Sequence, residues 1–340
     1  MESKTDPQPG DESLEDLADA VWAYSNYFQR QWDLIAKHSD GRYVMVKTRR
    51  DVRDIAQLLL RGSPRDVILD ELRKRQPEAT DPKKYEEACA NSLNLTARLV
   101  LMLKIGTFKN QANLRGFINW KEGSIRDFVS EYFEESRPVL SCEGVRLPKS
   151  FDAWSICKIG GIDVDFIDNL ADHLLFVGDS KVLIFHHAHF LERQENNPLF
   201  PPGVIEETLR TLALLFPQSQ FGSQGWSRNK KPKWLRRLTE QHLPTCVVDS
   251  RLTKCGDLPH SERQIERFVF WRDRLVILKQ AFDDATPRTI SQWFYDRRNG
   301  VQWYTFWVAI LVLIVSTAIG IAQVIEGGIQ VHFALHPQSS

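Results

Sequence analysis

The sequence predicts a mainly α protein, with a minor β hairpin, carried on one C-terminal transmembrane helix. Three observations predict it. Residues 301–325 hold no Asp, Glu, Lys or Arg over 25 positions. Most other segments repeat their apolar residues at helical spacing. Strand-like runs are short and few: 42–45 and 181–186. The composition fits a packed body, with 42% hydrophobic and 26% charged residues in 340, room for one large or two modest domains. Lys plus Arg number 44 and Asp plus Glu number 44. This balance leaves no global footprint for nucleic acid, which is not expected as a partner. The five cysteines lack any C-x-x-C pair. They suit a reducing compartment and argue against a disulfide scaffold or a zinc ribbon.

From the N-terminus, residues 1–13 are polar with Pro and Gly and are expected to be disordered. Ser13 and Asp16 give a capping pattern that opens an aromatic helix through about His38. Residues 48–60 place Val52, Ile55, Ala56 and Leu59 on one helical face, and 65–75 repeat the pattern after Pro64. A charged, Pro-containing loop (76–84) precedes a long buried helix, 85–105. Residues 124–136 form another amphipathic helix. Two short helices, 151–160 and 166–175, are expected around Gly160-Gly161-Ile162-Asp163, followed by the strand 181–186. Residues 204–216 and 262–285 are the last helices of the body.

This gives an expected organisation in seven parts. They are a disordered N-terminus (1–13), a helical N-terminal region (14–122) and a helical core (123–216) that admits a small winged-helix-like unit. A basic flexible linker (217–237), a juxtamembrane helical region (238–300), the transmembrane helix (301–325) and a short tail (326–340) follow.

The span is argued from length and flanks. A hydrocarbon core about 30 Å thick needs roughly 20 apolar helical residues, and twelve Ile, Leu, Val and Phe lie within 303–325. Trp303, Tyr304 and Trp307 sit at the leading end, where amphipathic rings favour the headgroup level. Arg297 and Arg298 precede the span, and no Lys or Arg follows it. The positive-inside bias therefore predicts a single-pass protein with a cytosolic N-terminus. The acidic N-terminal segment lacks an apolar signal-peptide region. Post-translational insertion, as for a tail-anchored protein, is expected.

Several blocks carry a resemblance: RDFVSEYFEES (126–136), LPKSFDAWSICKIGGIDVDFIDNLADHLLF (147–176), KVLIFHHAHFL (181–191), PPGVIEETLRTLALLFPQ (201–218) and 271–331, with YDRRN-VQWYTFW at its centre. Over about 90–335 the chain resembles a family of uncharacterised filamentous-ascomycete proteins with a C-terminal transmembrane anchor. The resemblance implies a fungal, membrane-anchored protein and carries no catalytic residues.

Four constellations invite a chemical reading. His186, His187 and His189, with His173 upstream, are the metal candidates, because zinc takes imidazole nitrogens. Three histidines so close in sequence crowd one tetrahedral site, so structural histidines are expected and no metal or other cofactor is assigned. Asp163, Asp165, Asp168 and Asp172 read as caps of a helix start. The short-helix pair followed by a strand resembles a helix-turn-helix with a wing. Asp168 and Asp172 would repel phosphate there, so the unit reads as packing and not as DNA recognition. Arg228 to Arg237 holds six basic residues in ten. It reads as a solvated loop, or as a contact to anionic lipid through Lys230, Lys231, Lys233, Arg236 and Arg237.

Asn94-Leu95-Thr96 is a sequon inside an expected cytosolic helix and should stay bare. Ser316 with Gly320 and Ala318 with Ala322 give small-residue spacing that permits a homodimer. No G-x-G-x-x-G, P-loop or G-x-S-x-G motif occurs, and no catalytic residue is assigned. The expected function is a non-enzymatic adaptor or scaffold. Its partners are the bilayer and a protein bound to the cytosolic body. The alternative is an accessory protein, catalytic or not, of a fungal specialised-metabolite pathway at an endomembrane.

Overall fold

The structure is a computed structural model that describes residues 24–33, 44–75, 81–106, 117–135, 144–222, 230–242, 246–286, 292, 295 and 300–335. Residues 1–13, the tail after 335 and the sequence-expected loop residues 76–80 lie outside that set. The architecture is mainly helical with one small sheet and a long apolar C-terminal helix, as the sequence predicts.

Residues 24–33 are helical. Helix α1 (Arg49–Leu60) opens on Thr48, whose side chain and that of Asp51 cap each other's backbone N–H groups. It buries Val52, Ile55 and Leu59, the predicted stripe. Helix α2 (Arg65–Arg73) buries Ile68 and Leu72. Both pack on α3 (Pro82–Leu101), which starts at the Asp81 cap and ends where Met102 takes a left-handed conformation. The strand expected at 42–45 is not seen in its described part. The N–H groups of Met45 and Val46 instead bond the Ser92 hydroxyl on α3, at 2.7 and 3.4 Å. Helix α4 (Ile125–Glu135) follows, with Ile125, Val129 and Phe133 buried.

The 151–190 region departs most from expectation. Helix α5 (Ala153–Lys158) forms on the Asp152 cap. The expected second helix is replaced by strand β1 (Asp163–Ile167) and a 3-10 turn, Leu170–Asp172. Val164 and Phe166 are buried while Asp163 is exposed, the two-residue period of a half-buried strand. There is thus no helix-turn-helix at 151–175. Strands β2 (Phe176–Val177) and β3 (Lys181–Phe185) complete a sheet of order β1-β3-β2. β3 pairs antiparallel with β2 but parallel with β1, in a register that sets Ile167 beside Phe185.

Helices α6 (Ala188–Gln194) and α7 (Val204–Leu215) pack together, as do α8 (Gln218–Phe221) and α9 (Lys230–His242), and Phe190 and Phe216 reach the sheet at Phe185 and Phe166. The expected flexible linker is therefore largely helical where described, and Pro232 is accommodated because it falls in the first turn of α9. The expected 262–285 helix begins late. Residues 260–267 form 3-10 turns, and only α10 (Arg272–Asp284) is α-helical. The Glu207 carboxylate on α7 accepts the backbone N–H groups of Val269, Phe270 and Trp271 at 2.7–2.9 Å. These bonds hold the segment extended up to the start of α10.

Helix α11 (Gly300–Leu335) has 36 residues, longer than the predicted 301–325 span. Its apolar stretch, Trp303–His332, is long and apolar enough to cross a membrane, and none of it is buried against the body.

Candidate functional site

The parallel pairing of β1 and β3 brings their C-terminal ends side by side. The residue after β1 is Asp168, and those after β3 are His186 and His187. All three meet. His187 Nε2 lies 2.8 Å and His186 Nε2 3.5 Å from Asp168 Oδ1. Arg30, from the N-terminal helical segment, bonds the other carboxylate oxygen at 2.7 Å. Tyr27 sets its ring edge against His187 at 6.1 Å. Asp249 joins from the far side: its backbone N–H bonds His186 Nδ1 at 3.2 Å, and its carboxylate bonds His189 Nδ1 at 3.0 Å. Cys246 Sγ lies 3.0 Å from His186 Nε2.

Burial governs the charges in this cluster. Burial lowers the His186 pKa to about 4, helped by its neighbour His187 and opposed by Asp168. Burial alone would raise the Asp168 pKa. Hydrogen bonds from His186 and His187 outweigh it and hold the carboxyl far below its usual range. Burial pushes the Cys246 thiol up to about 12, with Asp168 adding to the shift. Cys246 is therefore a thiol and not an activated nucleophile.

Asp168, His186 and His187 bring three ligand atoms within 4.8 Å of one another. The donor set nevertheless fits a metal poorly. His186 Nδ1 accepts a backbone N–H, so the proton of the neutral ring sits on Nε2. Nε2 is the atom that faces Asp168 and would have to ligate. Metal-bound imidazoles usually show the reverse pattern, with the outer nitrogen donating to an acceptor. Arg30 also occupies the neighbouring anion. The arrangement is that of a hydrogen-bonded polar core.

His173 stands apart from this cluster. Its Nδ1 accepts from Phe185 N–H at 3.1 Å, so its Nε2–H donates to Thr211 Oγ1 at 2.7 Å. Burial, then the Arg274 charge, lowers its pKa to about 3. It is a neutral core histidine against Trp271. His189 differs again. Its Nε2 is buried and meets no hydrogen-bond partner among the described residues.

Sequence reasoning missed Asp168 as the centre of the cluster and missed Arg30, Cys246 and Asp249 altogether. The period of Ile162-Asp163-Val164-Asp165-Phe166 was the available signal for β1. No local signal joins residues 60 to 138 positions apart.

The second feature is a groove of about 930 Å³ between α5, β1, β3 and α9, with Tyr295 of the juxtamembrane segment on its wall. Lys158, Lys181, Lys230, Lys233 and Arg237 line it, against two carboxylates, Asp163 and Asp165. Asp165 is taken up by Lys181 at 3.2 Å and His242 at 2.8 Å. Trp154, Trp234 and Tyr295 supply aromatic walls. The five basic residues expected to touch lipid are thus not equivalent. Lys233 and Arg237 line the groove. Lys230 donates to Tyr295 Oη at 2.7 Å. Lys231 turns inward, bonding the fully buried Asp152 at 2.7 Å and also Gln220, and is structural. Arg236 lies outside the groove and pairs with Glu240 at 3.6 Å.

Of the anchor flanks, Trp303 meets both Tyr304 and Trp307 at the start of α11, with ring centroids 5.1 and 6.1 Å apart. Arg297 and Arg298 lie outside the described residues. Comparison with protein-family models, curated proteins and solved structures returns no match to the chain.

Proposed function

We propose that the protein is a single-pass, membrane-anchored adaptor or scaffold whose folded body lies on the cytosolic side, inserted post-translationally as a tail-anchored protein of fungal type. One observation carries the reading: the apolar stretch Trp303–His332 leaves the body as a continuous helix with no part buried against it. Burial in lipid is the ordinary resolution for so long an exposed apolar surface. The basic residues before the span and their absence after it support the cytosolic placement of the body. The adaptor reading is further supported by the histidines, since His173 and His186 engage both ring nitrogens inside the fold. The small-residue spacing of α11 supports a homodimer as one mode of assembly.

The experiment is fractionation of the full chain and of a chain lacking Val301–Ser340. The full chain should stay in the membrane pellet after alkaline extraction, and the truncated chain should become soluble. Full-length protein in the alkaline supernatant would overturn the anchor. Proximity labelling by the membrane-bound full chain should mark a reproducible set of cytosolic proteins. Labelling confined to lumenal proteins would overturn the orientation.

A second reading has a specific observation behind it. The Asp249–His189 pair orients an imidazole with a buried, unpartnered Nε2, the geometry of a general base. This supports the accessory, catalytic alternative. A His189→Gln variant that retains the fold and the labelling pattern would count against that alternative.

A further inference from the structure

We propose that the groove between α5 and α9 binds the phosphorylated headgroup of an anionic membrane lipid, specifically an inositol lipid bearing a phosphomonoester. The proposal deepens the anchored reading, because it names what the body holds at the membrane surface.

Charge is the first argument. Lys158, Lys233 and Arg237 converge on the groove from two separate elements, α5 and α9. None of the three meets a counter-charge among the described residues, whereas Asp165 is already paired with Lys181 and in hydrogen-bond contact with His242. Only Asp163 opposes them. Like charges held together without counter-ions cost free energy in the empty groove, and a polyanion removes that cost. A phosphodiester alone brings a single negative charge. A phosphomonoester adds about 1.5 to 2 charges and three acceptor oxygens, a closer match to the surplus of cations.

The wall chemistry is the second argument. Trp154, Trp234 and Tyr295 interleave with the cations. Amphipathic rings of this kind favour the lipid headgroup level. A groove of about 930 Å³ also has room for a ring-bearing headgroup as well as its phosphates.

Position is the third argument and selects a lipid over a soluble phosphate. Tyr295 belongs to the segment that leads into the anchor. Its ring meets Trp154 at 5.2 Å and Lys230 Nζ at 4.7 Å. Gln292, from the same segment, packs over Gly161, where a Cβ would come within 2.9 Å of its Nε2. Trp303 lies eight positions after Tyr295, so the chain keeps the groove within roughly 28 Å of the headgroup layer even if fully extended. Helical spacing would bring it to about 12 Å.

The test uses the full chain in neutral-detergent micelles, titrated by calorimetry with dioctanoyl phosphatidylinositol 4-phosphate, dioctanoyl phosphatidylinositol, dioctanoyl phosphatidylserine and inorganic phosphate. The monophosphorylated lipid should bind at least 10-fold more tightly than the other two lipids, and inorganic phosphate should compete only in large excess. Lys233→Gln with Arg237→Gln, and separately Lys158→Gln, should each weaken that binding at least 5-fold. Arg236→Gln removes the same charge from the same helix outside the groove and should change binding less than 2-fold. All four positions are exposed, and unchanged circular dichroism checks the fold. Equal losses in Arg236→Gln and in the groove variants would replace the site with diffuse surface attraction and overturn the proposal. Inorganic phosphate competing as well as the lipid headgroup would also overturn it, as would absence of lipid selectivity. Each of these failures leaves alkaline extraction of the full chain unaffected, so loss of the groove and loss of the anchor are read separately.

Discussion

Among the described residues, helices α3 and α11 are the two longest, at 20 and 36 residues, and they solve opposite problems. Helix α3 is buried on most sides yet carries Ser92, Asn94, Thr96 and Arg98. Each finds a partner. Ser92 and Thr96 donate to carbonyls one turn back, Asn94 accepts from Arg65, and Arg98 donates to the Ile105 and Gly106 carbonyls under the Phe117 ring. Burial, opposed slightly by Tyr27, still lowers the Arg98 pKa to about 10. Helix α11 has no such surroundings. Most of its Leu, Ile and Val side chains are exposed, and residues 301–325 carry no Asp, Glu, Lys or Arg. A protein interior accommodates a polar group by pairing it, whereas a bilayer core offers no partner, so the sequence must leave the group out.

The largest expected effect strains the body's internal pairing. His173 and His186 carry pKa values lowered to about 3 and about 4, against about 6.5 in the unfolded chain. Between those limits the unfolded state binds more protons. Stability is therefore fully present above pH 6.5 and is lost as pH falls toward 3 to 4. The depressed Asp168 acts in the same direction below about pH 4. The unfolding free energy of the full chain in detergent, from denaturant titration, should fall between pH 7 and pH 4 by several kcal/mol. A flat profile would mean that these histidines are solvated.

Next comes a matched pair of truncations. Leu93→Ala in α3 removes a side chain with no exposure and should cost about 2–5 kcal/mol. Leu311→Ala in α11, 60% exposed on the helix, should leave the body's unfolding midpoint unchanged. Equal shifts would mean that α11 packs on the body. Leu313→Arg reverses the comparison. It should cost about 3 kcal/mol of insertion, visible as partial loss from alkaline pellets, with the body's midpoint unaffected.

The smallest effect concerns metal. A Zn²⁺ site saturated 100-fold over its dissociation constant would add about 2.7 kcal/mol. Because the His186 proton sits on the nitrogen that would ligate, 100 µM Zn²⁺ should leave the thermal midpoint of the chelator-treated protein unchanged. A clear rise, lost in Asp168→Asn, would establish the metal centre instead.

What the sequence made legible follows the same division. The anchor was plain because one property, absence of charge, decides it within a local window. The α1 face of Val52, Ile55 and Leu59 was plain for the same reason. Strand β1 was misread because its acids suggested helix caps, although their alternation with Val164 and Phe166 is a strand period. Helix α9 was read as a linker because Pro232 and its charges mask a groove-facing stripe of Lys233, Trp234, Arg237 and Leu238. The polar cluster could not be read at all. Asp168, His186 and Asp249 meet only through the parallel β1–β3 register and the packing behind it, and no local pattern encodes that meeting.

The central claim is that α11 spans a membrane and leaves the body on the cytosolic side. The most direct measurement appends a spacer and a sequon after Ser340 and maps glycosylation on the full chain. A body on the cytosolic side gives glycan on the appended site and none on Asn94, which lies buried in α3. Glycan on Asn94 with a bare tail would place the body in the lumen and contradict the account.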